Sequence, residues 1–393
     1  MTTGAERTRS YTGPAILSYG FRPFFLFGAL WSALAVGLWL PALSGHITLP
    51  TAFAPIDWHV HELVYGYVPA IVAGFLLTAV PNWTGRLPVL GTPLLGLFLL
   101  WVAGRVAIFF SRHIGAPIAA AIDLLFLAAL GAIIAREIVA GSNWRNLKVL
   151  GGVALLFIGN GLFHLEVISG FGDGEGKRLG IAAAVLLITL IGGRIIPSFT
   201  RNWLARRGPG RLPAPFDRLD ASAVGLTALA LASWVLAPDS VATALLALAA
   251  GAFNVLRLFR WAGERTTAEP LVLILHVGYA FVPIGFILLA LAKLRPEFVA
   301  ISGAMHGWTA GAIGVTTLAV MTRASLGHTG RPLTATAPLQ LIYLAALVAA
   351  LARIVAAFNV LSEAMLQVSA TAWVLAFAGF VLVYCPLLTR RRI

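Results

Sequence analysis

Charge is what this sequence has least of. Of its 393 residues 11% are Asp, Glu, Lys or Arg while 59% are hydrophobic, against about a quarter charged in soluble globular domains. With a mean hydropathy of +0.90, that scarcity excludes an ordinary soluble domain and implies an integral membrane protein. Acidic residues are scarcer than basic ones, 15 against 28, for a net charge of +13. A surplus of that size can mark nucleic-acid binding, but here the basic residues fall in short links between apolar runs rather than on one face or tail, which is a topology signal. Cysteine is nearly missing. Cys385 stands alone, which excludes an internal disulfide framework and covalent haem attachment through C-x-x-C-H, so any haem is held without thioether bonds. Also missing are a Walker loop, a G-x-G-x-x-G after a strand, a G-x-S-x-G elbow and a zincin H-E-x-x-H. Soluble enzyme classes go with them. No small-residue cleavage site follows Glu6, Arg7 and Arg9, so the first apolar segment is expected to serve as its own targeting element.

What is present is a series of apolar runs. About 20 residues cross a bilayer, and the chain supplies twelve such spans: 22–40, 59–80, 92–110, 115–136, 148–169, 178–197, 219–237, 240–259, 270–292, 298–321, 335–356 and 365–388. The expected fold is a single all-α polytopic membrane domain over 1–393. Lys and Arg sort to the tail and Arg22, to links 81–91, 137–147, 198–218, 260–269 and 322–334, and to the basic end at 389–393. This face is expected to be cytoplasmic, with the 1–20 tail and both chain ends on it. The opposite links are short and include the glycine-rich, acidic 169–176, suiting the outer side of a bacterial inner membrane. A faint repeat runs through the chain. His61 and Thr84-Gly85-Arg86 are matched by His306 and Thr329-Gly330-Arg331 at one offset, and the Pro-x-x-Thr of 81–84 recurs at 197–200. Spans 2, 6 and 10 are thus related, which suggests three four-helix units around a pseudo-threefold axis, resembling the catalytic subunit of haem-copper oxidases.

The residues able to carry chemistry sit inside these spans, where ionisable groups are expensive and therefore usually functional. His59, His61, His164, His276 and His306 are intramembrane or edge histidines. Any one alone reads as readily as a hydrogen-bonded helix tie. Five together read as ligands, since imidazole suits Fe, Cu and Zn, and such a set can supply an axial haem site and a separate copper site. The expected division puts haem on His306 or His276 and copper on His59, His61 and His164. On a regular helix, His59 and His61 point about 200° apart and serve two sites; were 57–61 still loop, both could converge on one copper with His164. Glu62 and Glu166 each neighbour a candidate ligand and can orient an imidazole or relay protons. Asp57 reads as a helix cap and Asp123 as weaker still. Arg105 and Arg194 are embedded in apolar sequence and call for an anion; for Arg194 a haem propionate is the expected partner, for Arg105 a snorkelled edge position. His328, Arg323 and Arg331 read as solvated, lipid-headgroup contacts. Most tryptophans, Trp31, Trp39, Trp58, Trp83, Trp101, Trp203 and Trp234 among them, read as interfacial belts. Gly192-Gly193 and Gly311 to Gly314 permit close helix approach and equally leave room for a flat macrocycle.

Several motifs together resemble one family. They are Gly20-Phe21-Arg22-Pro23-Phe24-Phe25, Trp58-His59-Val60-His61-Glu62, the run Gly74 to Arg86 (GFLLTAVPNWTGR), Pro197 to Trp203 (PSFTRNW) and Thr322 to His328 (TRASLGH). These are similar to the NnrS family, over nearly the whole chain. The resemblance implies a bacterial, twelve-span inner-membrane protein of nitric oxide metabolism and nitrosative-stress tolerance, containing haem b and copper. It assigns no residue to either metal. On this reading NO reaches an intramembrane metal and is bound or reduced there, with Glu62 and Glu166 as relay. Two alternatives stand beside it: a transporter of a small anion or metal complex, and an NO or haem sensor without turnover.

Overall fold

In the computed structural model, residues 10–359 and 361–391 are described; residues 1–9 of the expected tail and 392–393 of the basic end lie outside the described residues. The described chain is helical throughout, with no strand. The physical reason is that a segment in hydrocarbon must satisfy its own peptide groups, and a helix does so internally. Among the described residues, eleven helices are long and apolar enough to cross a membrane. We number them α1 (Phe21–Leu43), α2 (Pro55–Thr84), α3 (Thr92–Phe109), α4 (Ala116–Ala140), α5 (Trp144–Ser169), α6 (Glu175–Leu204), α7 (Arg218–Leu236), α8 (Val241–Phe259) and α9 (Pro270–Leu294), then, after α10, α11 (Ala337–Ala356) and α12 (Ser362–Thr389). The helical stretch α10, residues 301–329, corresponds to the tenth expected span but is not among the eleven. His306, its threonines and its glycines dilute its apolar character.

Local sequence sets the ends. Proline opens α2, α3, α4, α9 and α11 in the first turn, where its missing N–H costs nothing. Asp217 accepts from the N–H groups of Leu219 and Asp220 at the start of α7, a side-chain cap. Asp57, expected to cap α2, lies inside its first turn instead, and Ala54 is the capping position.

The chain divides into two compact units: Met1–Gly180 with Ala324–Arg331 and Phe377–Ile393, and Ile181–Arg323 with Pro332–Ala376. In the first, α1 packs on α2, and α4 on α3, α5 and the second half of α2. In the second, α8 packs between α7 and α9, and α10 against α9 and α11. In the most apolar windows, α2 is 78% buried and α9 72%, against 39% for α3, α4, α5, α7 and α8. Each unit is therefore built around one central helix.

Two helices depart from α geometry. In α2 the α-helical turn Pro55–His61 gives way to a π-helix at Glu62–Tyr67 before Val68–Thr84 resumes; in α10 Ile301–His306 gives way to a π-helix at Gly307–Val315 before Thr316–Thr329. Each π stretch starts directly after a histidine of the internal repeat, and each helix ends on Thr-Gly with the glycine left-handed, φ +68° at Gly85 and +76° at Gly330. The repeat is thus a shared helix design as well as a sequence echo. The tryptophan belt needs correction: Trp39, Trp58, Trp101 and Trp234 are buried. Of the two uses the glycines allow, close approach is the one seen. A side chain at Gly311 would meet the Phe281 ring, at Gly314 the Trp373 ring and at Gly193 the Arg257 guanidinium, so protein groups already occupy those positions.

Candidate metal centre

The site forms in the first unit, where α2, α3, α4 and α5 bring polar side chains together. His61, Glu62, Asp123, Asn160 and His164 are all buried, with His61 and Glu62 fully so. Ligand atoms of His61, Asp123 and His164 lie within 4.8 Å of one another. Asp123 Oδ2 stands 3.3 Å from His61 Nε2 and 3.1 Å from His164 Nε2, and the two imidazole rings are 4.9 Å apart. Phe53 and Phe163 flank the rings and close the site with apolar surface.

Around these three atoms runs a connected hydrogen-bond network. Asn160 Nδ2 donates to Asp123 Oδ2 at 2.7 Å, which fixes the amide so that its Oδ1 faces His61 Nε2 at 3.1 Å. His61 Nδ1 meets Glu62 Oε1 at 3.0 Å. Both nitrogens of His61 therefore face only acceptors, so each takes a proton or a cation. Glu62 Oε2 in turn accepts from Trp31 Nε1 at 2.6 Å and Arg105 Nη1 at 2.7 Å, and Arg105 Nη2 donates to Asp123 Oδ1. Two carboxylates stand against one guanidinium here, so the second carboxylate is matched either by a second proton on His61 or by a bound cation. Burying such a charge is costly unless a cation joins it.

Two glycines make the geometry possible. A Cβ at Gly66 would stand 2.5 Å from Arg105 Nη1, and one at Gly104 would stand 2.8 Å from Asp123 Oδ1. The guanidinium and the carboxylate thus lie directly against backbone, and Trp101 Nε1 holds the Gly66 carbonyl at 2.8 Å.

Of the expected ligands, His61 and His164 converge, with Glu62 beside them. His59 does not: residues Pro55–His61 are helical, and its ring stacks on Trp39 at 3.9 Å. Arg105 is not at a snorkelled edge but buried, bridging both carboxylates. Asp123, ranked lowest from sequence, is the group both histidines share. Glu166 accepts from Gly176 N–H at 2.9 Å and so holds the α5–α6 link; the Gly176 carbonyl takes the Tyr65 hydroxyl, and the Tyr65 ring lies 5.8 Å from His61. It reaches the centre only through that chain.

His276 and His306 belong to the second unit. His276 Nε2 meets Thr200 Oγ1 at 2.7 Å, and a Cβ at Gly263 would stand 2.6 Å from its Nδ1. Its Nε2 is thus engaged by a hydroxyl, while Nδ1 is buried against the Gly263 backbone without a hydrogen-bond partner. His306 Nδ1 bonds the Ser302 carbonyl at 2.8 Å, the outer contact that in metal-binding histidines presents Nε2 to the metal. Arg194 is exposed on α6. Beyond the site, His328 packs between Tyr19 and Phe21, at 5.3 and 5.5 Å, and Arg323 covers the Phe199 ring at 4.2 Å, so aromatic contacts replace the solvated surroundings expected for both.

No curated protein and no solved structure matches this chain. The model of one family, described as NnrS protein, matches residues 15–392. With nearly its whole length so covered, this multi-pass membrane protein belongs to the NnrS family.

Proposed function

We propose that this protein binds a copper ion between His61, His164 and Asp123, holds haem b on His306, and acts on nitric oxide in the bacterial inner membrane. The observation that carries the reading is the donor set itself: two imidazoles and a carboxylate, all buried, with ligand atoms within 4.8 Å of one another. Such a set suits Cu, Fe or Zn, and copper is the choice the family resemblance implies. Of the two expected haem ligands, His306 is preferred because its Nδ1 is anchored on the Ser302 carbonyl, whereas His276 already spends Nε2 on Thr200. Arg194 is the cation proposed for the propionates.

Bound metals would supply the site that takes NO and passes electrons to it. The chain's own residues do the rest. Arg105 and Asn160 hold Asp123 in place, and Glu62 fixes the His61 ring through Nδ1. NO dissolves in hydrocarbon and needs no polar path. Reduction of two NO to N2O and water consumes two electrons and two protons, and Glu62, hydrogen-bonded to His61 Nδ1, is the carboxylate proposed to relay them, with Glu166 as a second. In topology, we propose twelve crossings with α10 as the tenth and both ends cytoplasmic. The threefold grouping stays an expectation of the repeat alone.

The test is metal analysis and absorbance of the purified protein beside single variants. His61→Ala, His164→Ala and Asp123→Asn should each lose copper, while His59→Ala keeps it. His306→Ala should lose the Soret band and His276→Ala retain it. Copper content unchanged in a His61→Ala, His164→Ala double variant would sink the assignment. Anaerobic NO consumption with an electron donor separates an enzyme from a sensor, which would bind NO once per haem.

A further inference from the structure

The run GFLLTAVPNWTGR starts near the metal centre and ends far from it. From His61 to Gly85 is 24 residues of helix, about 36 Å at 1.5 Å per residue, so the Thr-Gly-Arg end of α2 lies on the opposite membrane face and serves something other than the metal. There, the link after Gly85 and the end of α4 border an open cleft of about 730 Å³, lined by Arg86, Leu87, Pro88, Leu90, Arg136 and Glu137 among others. Its size falls within the range of small-molecule sites.

Its polar groups are arranged around one carboxylate. Glu137 is 5% exposed. Arg86 Nε donates to its Oε2, and Arg136 donates to its Oε1 from Nε at 2.9 Å and from Nη2 at 2.7 Å. The carboxylate fixes two guanidinium groups on one wall, and the wall keeps a net positive charge. Arg86 spends only Nε on Glu137, which leaves both terminal Nη groups of its fork for another acceptor. The peptide N–H groups of Leu87, Val89 and Leu90, in the same link, take no acceptor among the described residues. Pro88 and Pro93 stiffen the link at its middle and its exit.

We infer that this pocket binds a phosphate-bearing ligand. A phosphate presents three terminal oxygens, one more than a carboxylate, to the open Arg86 fork, and the link that lines the same pocket carries N–H groups without a backbone acceptor. The phosphate belongs either to a soluble small molecule or to a lipid headgroup at the same membrane face.

The experiment follows thermal unfolding of the full-length protein in dodecyl maltoside, which carries no phosphate, with inorganic phosphate, ADP or short-chain phosphatidylglycerol added. Saturable stabilisation is expected from at least one probe. Its half-saturation should rise about tenfold or more in Arg86→Ala and Arg136→Ala, as loss of a charged hydrogen bond predicts, and less in Arg86→Lys. Leu87→Trp, which narrows the pocket and leaves both arginines in place, should weaken binding too and carries the test should the arginine variants not fold. Stabilisation by phosphate or ADP identifies a soluble ligand, and stabilisation by phosphatidylglycerol alone identifies a headgroup. No stabilisation by any probe, or equal stabilisation in wild type and variants, overturns the proposal. Copper and haem content do not enter the readout.

Discussion

Asp123 and Arg105 show how a residue's meaning can depend on a partner far along the chain. Each stands alone in an apolar run, where an aspartate resembles a solvated acid and an arginine a snorkelled one. Only the approach of α3, α4 and α2 turns them into a bridge between Glu62 and the two histidines. His61, His164 and Glu62 were legible because histidine and glutamate are conspicuous in a membrane span whatever surrounds them. The pairing was not legible, since tertiary distance leaves no trace in spacing; the one available signal was the demand that an embedded arginine find an anion. Gly66 gives the sharpest check of the packing. Gly66→Ala places a methyl 2.5 Å from Arg105 Nη1 and 3.0 Å from Glu62 Oε2, and overpacking of this kind costs about 1–3 kcal/mol. The variant should melt at a lower temperature in detergent and bind copper more weakly; an unchanged melting curve would contradict the close seat assigned to the guanidinium.

Among the elements, α2 and α10 were legible as spans but not as π-containing helices. A π turn adds a residue without disturbing composition, so hydropathy passes over it, yet it rotates everything beyond it relative to the histidine before it. The angular separation of His59 and His61 held because both precede the π stretch. Helix ends were half legible: prolines and glycines mark them, but the carbonyls left open at a C-terminus can be closed from anywhere. At the end of α12 the closing group is Arg22 of α1, whose Nη1 donates to Leu388 and Arg390 carbonyls at 2.9 and 2.8 Å. Removing it with Arg22→Ala deletes charge-assisted bonds worth about 1.5–3 kcal/mol each. Amide hydrogen exchange should accelerate in the last turn of α12, residues 387–390, and stay unchanged in the body of the helix. Equal exchange in both proteins would show that the end is held by something else.

For the whole molecule, hydropathy and the placement of Lys and Arg gave the class of fold and eleven of the twelve expected spans as membrane-length helices. It said nothing of the division into two units, because that depends on which helices touch. The status of α10 has a direct consequence for topology. If it crosses, the links around Pro296 and Pro332 face opposite sides; if it does not, they share one. The single cysteine makes the measurement simple. In a Cys385→Ala background, Pro296→Cys should react with an impermeant maleimide in intact cells, and Pro332→Cys only after the membrane is opened. Reaction of both from outside would reduce the count to eleven.

The bond from Arg22 to the last turn of α12 also bears on how the molecule is made. α1 emerges from the ribosome first and α12 last, so the acceptors for this guanidinium do not exist until more than nine-tenths of the chain has been synthesised. Through that interval the first helix waits in the bilayer with its charge provisionally solvated by water or headgroups. Closure of the first unit therefore waits for the synthesis of α12, and a nascent chain stopped before that helix cannot reach it.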